Sequence, residues 1–225
     1  MSTSAPPDLK PRRRQEDRSA DARRRIIDAT IRCLYRVGYS AATTAMIAKE
    51  AGLSRGNIFY HFASTADLMV AVRDAVYLEE RQAVEAIRES LGTRAYLAEL
   101  PRYALAGMRK APAIAVDEIL LAARSDAELS AKLRQSEKKI DARAVAELEE
   151  HYRQAGLTPP HDLPILVRLA VAAYRGLAIA ELVQGPEAQI EACTEYLIRL
   201  LQIAEKMGPP DAPGGGDAPV SPAAD

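Results

Sequence analysis

Residues 51–64 read AGLSRGNIFYHFAS. Both phenylalanines of the chain, Phe59 and Phe62, stand here beside Tyr60 and His61, in a protein without tryptophan. Gly52-Leu53 makes a tight turn, and Ser54 is a natural N-cap for a helix over Arg55–Phe62. A short helix, Ala45–Ala51, capped by Thr43 or Thr44, precedes it. Two short helices joined by a glycine turn describe a helix-turn-helix. At about 100° per residue, Ile58, Phe59 and Phe62 share one side of the second of these helices, and Gly56, Asn57 and Tyr60 the other, flanked by His61. The apolar side is expected to pack on Ile47, Ala48, Ala51 and Leu53. The polar side suits a duplex: Asn57 can pair with adenine, Arg55 with guanine or phosphate, and Tyr60 and His61 with phosphate oxygens. Gly56 leaves room for a groove wall, and the helix N-termini at Thr44 and Ser54 favour phosphate.

Charge supports a polyanion partner. Residues 1–62 carry 12 Lys/Arg against 6 Asp/Glu, whereas the remainder carries 18 against 25. A net charge of −1 therefore conceals a basic first part and an acidic second part. Hydrophobic residues at 48 % allow a real core. No secretory signal is evident and no run approaches about 18 apolar residues, so the cell interior is expected, with no membrane partner. Cys33 and Cys193 lack metal spacing and read as reduced thiols on apolar helix faces. Among the histidines, His61, His151 and His161, none has a metal-like partner at helical spacing. No nucleophile elbow, phosphate loop or HExxH is present. No catalytic residue, metal or cofactor is expected.

Everything else in the chain has helical periodicity, so the fold class is all-α. A first helix over Ala22–Val37 ends at Gly38. Ser64-x-x-Asp67 opens a long helix toward Leu91, closed by Gly92. Further helices are predicted over Ala95–Lys110, with a kink at Pro101, over Pro112–Arg124, and from the Ser125-x-x-Glu128 capping box to Gly156. A strongly apolar helix then runs to Gln184, its first turn set by Pro164, and a last one covers Glu187–Met207. Residues 1–20 read as a disordered basic arm, and 208–225, half of them Gly or Pro, as a disordered tail.

The stretch from Arg24 to about Val72 resembles the DNA-binding domain of the tetracycline-repressor (TetR) family of bacterial transcription factors. The resemblance rests on Gly38-Tyr39, Thr44 before Ile47-Ala48, Ala51-Gly52-Leu53-Ser54, and Phe59-Tyr60-His61-Phe62 followed by Leu68. It implies operator contacts at Thr44, Arg55, Gly56, Asn57, Tyr60 and His61. It also implies a helix-turn-helix domain over 21–66 and a helical ligand-binding and dimerisation domain over 67–207, the last two helices forming the homodimer. Two departures stand out. Phe59 replaces the usual tyrosine, which points to packing, and Thr65 replaces a phosphate-binding lysine.

The implied function is a homodimeric repressor, released from a pseudo-palindromic double-stranded DNA operator by a small-molecule effector. An activator, or a regulator without a ligand, satisfies the same residues. Candidate pocket residues come from the middle helices: Tyr96, Leu100, Tyr103, Met108, Ile119 and Tyr174. With no Phe or Trp in the second part, an aliphatic or acyl-like ligand is favoured over a caged cation. The helix over 163–184 is apolar nearly all round and is expected to be buried on more than one side.

Overall fold

The computed structural model describes residues 10–185 and 189–206; expectations placed on residues 1–9 and 207–225 lie outside it. Among the described residues the protein is all helical: α1 (Lys10–Ala41), α2 (Thr44–Ala51), α3 (Arg55–His61), α4 (Thr65–Leu91), α5 (Thr93–Met108), α6 (Ala111–Ala122), α7 (Ala127–Gln154), α8 (Leu163–Gln184) and α9 (Ile190–Lys206).

Local chemistry accounts for most boundaries. Thr43 caps α2 by accepting from the Met46 N–H, Ser54 caps α3 by accepting from Asn57, and Ser64 caps α4 by accepting from Asp67. Gly52 turns the chain at φ 64, a left-handed geometry that favours glycine. Two expectations need correction. The first helix starts at Lys10 rather than Ala22, so residues 10–20 extend it instead of forming a loose arm; Pro11 is tolerated in the first turn, and no breaker follows before Gly38. Asp126, not Ser125, caps α7, accepting from Leu129. Pro101 lies within a continuous α5.

The break at Gly38 links α1 to the rest of the molecule. Gly38 sits at φ 74, where α1 breaks, and the freed Tyr39 N–H donates to Glu118 Oε2 of α6 at 2.8 Å. A Cβ on Gly38 would lie 3.2 Å from that same oxygen. Around this contact α1, α2, α3, α4, α6 and α7 share one hydrophobic core, running from Ile26, Leu34, Ile47 and Ile58 through Leu68 and Val72 to Val116, Ile119 and Leu129. A smaller cluster joins Leu105, Tyr174 and Ile190 of α5, α8 and α9.

Phe62 is buried in the main core with Arg23 over its ring at 5.0 Å, as its place on the apolar side of α3 requires. Phe59 is not: it is 49 % exposed. At about 100° from Ile58 it stands on the flank of a seven-residue helix, away from the side that packs on α1 and α2. Cys33 is buried as expected, but Cys193 is exposed. Helix α8 also departs from expectation. It buries only Leu163, Tyr174 and Ala178, and leaves Ile165, Leu169, Leu182 and Val183 more than half exposed. By length and composition it could cross a bilayer, although Arg168 and Arg175 interrupt its apolar run. Its charges are paired within the bundle, Arg175 with Asp117 of α6 and Glu181 with Arg109.

The start of α4 is clasped to α7. Lys132 Nζ lies 2.6 Å from Asp67 Oδ1 and 3.0 Å from Glu128, and the Ser64 hydroxyl lies 2.9 Å from an oxygen of each carboxylate. Lys132, and then Ser64, hold the Asp67 and Glu128 carboxyls below the ordinary carboxylate range. A depressed folded-state pKa stabilises the fold above the unfolded pKa, near 4, and that contribution disappears as pH falls through the folded value. Acid titration of stability, followed by circular dichroism, should therefore show a loss below about pH 4 that Lys132→Met flattens. In chemical denaturation Phe62→Ala should cost about 3–5 kcal/mol, whereas Phe59→Ala should stay within about 1 kcal/mol.

Candidate nucleic-acid interface and ligand cavity

Helix α3 presents its polar residues outward. Arg55, Gly56, Asn57 and Tyr60 are exposed, Tyr60 at 77 %, while Ile58 beneath them is buried. His61 is half-buried and meets Tyr60 edge-on, ring centroids 5.0 Å apart. Thr44 is half-buried at the first position of α2, leaving the capping role to Thr43. The six residues expected at an interface thus lie on the two helices of the motif, and Phe59 joins their exposed surface. Gly56 is informative because nothing inside the chain demands it. It has no positive φ, and a Cβ there would meet only Ser54 Oγ at an ordinary 3.7 Å.

Much of the positive charge around the motif is already engaged. Arg25 Nη2 donates to the Ala51 carbonyl at 2.7 Å, closing the C-terminus of α2, and its approach leaves only 3.0 Å for a Cβ on Gly52. Arg32 and Arg36 both reach Glu50 of α2, at 2.8 and 3.3 Å. Arg18, Arg24 and Arg55 remain exposed. Thr65 is exposed at the first position of α4.

A cavity of about 540 Å³ opens between α4, α5, α7, α8 and α9. Tyr96, Leu100, Met108 and Tyr174 line it as expected. Two other expected residues do not. Ile119 is fully buried in the main core, because α6 turns its apolar side toward α1; Tyr103 lies on a different side of α5 from the cavity wall. The sequence reading missed Tyr77 and Glu80 of α4 and His151 and Tyr152 of α7, which share the wall. Tyr96 packs edge-on against His151 at 5.7 Å. Burial pushes the Tyr96 and Tyr174 phenols up to about 12, and lowers the His151 imidazole below its usual value. Both phenols therefore stay protonated, able to donate hydrogen bonds inside a cavity whose wall also carries Leu97, Ala104, Leu166 and Val167.

Comparison with known proteins agrees with this geometry. Residues 26–72 match the model of the bacterial regulatory proteins of the tetR family. An HTH-type transcriptional regulator of Mycobacterium tuberculosis strain H37Rv is 29 % identical over 181 residues, covering 74 % of this chain and 86 % of the relative. The HTH-type transcriptional repressor AcnR of Corynebacterium efficiens is 26 % identical over 192 residues, covering 84 % and 93 %. The crystal structure of the transcriptional regulator FadR from Bacillus subtilis, in complex with stearoyl-CoA, superposes with a TM-score of 0.58 at 18 % identity, covering 80 % and 97 %. The matched span holds the capped helix pair, its glycine turn and the outward face of α3, so residues 26–72 form a DNA-binding domain similar to that of the bacterial regulatory proteins of the tetR family.

Proposed function

We propose that the protein is a homodimeric repressor that leaves a pseudo-palindromic operator when a small molecule enters the cavity. The division of α3 carries this reading: apolar Ile58 and Phe62 face the core, and Arg55, Gly56, Asn57 and Tyr60 face out. Thr44 and His61 complete the operator surface, and Phe59 adds an apolar contact suited to a thymine methyl. Residues 21–66 read the duplex and 67–207 receive the ligand and the second copy. Helix α4 runs from the main core, at Leu68 and Val72, to the cavity, at Tyr77 and Glu80, so a ligand and the motif bear on one rigid element. A ligand that favours a different spacing of the two α3 helices acts by shifting populations.

The second copy is expected on α8 and α9. Leu169, Ile179 and Val183 of α8 and Tyr196, Leu200 and Ile203 of α9 form exposed apolar rows. A Cβ on Gly176 would touch nothing within 4 Å, so the gap it leaves suits close approach by another helix.

Gly56→Ala should raise stability by about 0.5–1 kcal/mol, by removing a helical glycine, yet weaken operator binding. Tyr60→Phe and His61→Ala should weaken binding at unchanged melting temperature. Binding should fall steeply with salt. Val183→Glu should convert dimer to monomer in sedimentation and abolish operator binding. Fluorescence anisotropy on a fragment of the protein's own promoter checks the set. If that fragment and random DNA bind equally at moderate salt, the sequence-specific reading fails.

A further inference from the structure

The cavity wall carries a carboxyl group that no described residue pairs with. Glu80 lies on the wall that the 540 Å³ cavity shares with an adjoining one of about 520 Å³, and among the described residues its carboxylate has no hydrogen bond and no ion pair. The arginines lining these cavities are mostly committed elsewhere. Arg73 holds Glu137 at 2.5 Å, Arg81 holds Glu147 at 2.7 Å, Arg168 holds Asp141 at 3.3 Å and Arg175 holds Asp117 at 2.6 Å. Arg94 is exposed at the edge of the cavity. One turn before Glu80, the Tyr77 hydroxyl is buried without a hydrogen-bond partner. Both groups thus carry an uncompensated desolvation cost on the same wall. Burial raises the Glu80 carboxyl above its ordinary value, with Arg73, Arg175 and Lys110 only partly opposing it.

The remaining wall suits a cation with an apolar body. Four tyrosines approach from four different helices: Tyr77 of α4, Tyr96 of α5, Tyr152 of α7 and Tyr174 of α8. Aromatic faces attract ammonium groups, and the effect grows when water is excluded. The lack of Phe and Trp, which favoured an acyl-like ligand, is made good by these tyrosines, and no unpaired buried cation is present among the lining residues to hold a carboxylate.

We propose that the cavity takes an organic monocation, a protonated amine with an aliphatic body, whose N–H groups are donated to the Glu80 carboxylate. The proposal rests on the reading of this cavity as the effector site and adds the chemical class of the effector. The amine supplies the positive charge that Glu80 lacks, while Leu97, Leu166 and Val171 receive the chain.

The test uses the full-length protein with n-octylammonium, 1-octanol and n-octanoate, three probes that differ only in head group. Calorimetry and thermal shift should rank octylammonium first, about tenfold or more tighter than octanol, with octanoate weakest. Glu80→Gln keeps the side-chain volume. It should bring octylammonium down to the level of octanol, while the ligand-free melting temperature stays level or rises because a desolvated charge has gone. Val171→Trp, which fills the cavity, should remove binding of all three. Octanoate binding at least as tightly as octylammonium, through Arg94 for example, would overturn the proposal, as would an undiminished amine preference in Glu80→Gln; the effector site itself would survive either result. Failure of every probe to bind the wild type would overturn both.

Discussion

The hydrogen bond from the Tyr39 backbone to Glu118 is the constraint on which the arrangement turns. Helix α1 must break for the chain to enter the helix-turn-helix, and Gly38 permits the break at positive φ. That break frees a backbone N–H near the core, where an unpaired donor is costly. Glu118 satisfies it from α6, and α6 thereby fixes the DNA-reading helices against the cavity-bearing ones. Its neighbour Asp117 is buried and pairs with Arg175 of α8, although burial still raises its carboxyl above the ordinary range. One turn of α6 therefore touches both the motif and the apolar helix proposed to meet a second copy.

Positive charge in the first part of the chain has two uses. Arg25 closes α2, Arg32 and Arg36 hold Glu50, and Arg23 lies over Phe62. These groups stabilise the motif before any duplex is present. Residue counting treats them as equivalent to exposed Arg18, Arg24 and Arg55, which they are not.

What could be read in the sequence was what local chemistry determines. The caps at Ser54 and Ser64, the turn at Gly52 and the limits of α8 between Asp162 and Gly185 depend on neighbours a few residues away. The faces of α3 were legible to within one residue: Ile58 and Phe62 lie inside, but Phe59 occupies a flank whose cover depends on how α2 crosses. The cavity was harder to read, because membership depends on which helices become neighbours. Tyr96 and Ile119 are both buried apolar residues, yet one faces the cavity and the other the main core. Glu80 gave no local sign, since its significance is the partner it lacks. The exposed apolar side of α8 looked like an interior face because one chain alone cannot show what covers it.

The shared core has a consequence for the exchange of parts of the chain. Ile26, Ile47 and Ile58 pack in the same cluster as Val116, Ile119 and Leu129, with no apolar seam near residue 66. A chimera joining residues 1–66 to another receptor body would leave half a core facing foreign side chains, and Tyr39 without Glu118. Point changes on the outward side of α3, where Arg55, Asn57, Phe59 and Tyr60 touch little of the protein, therefore disturb the fold far less than recombination of whole domains.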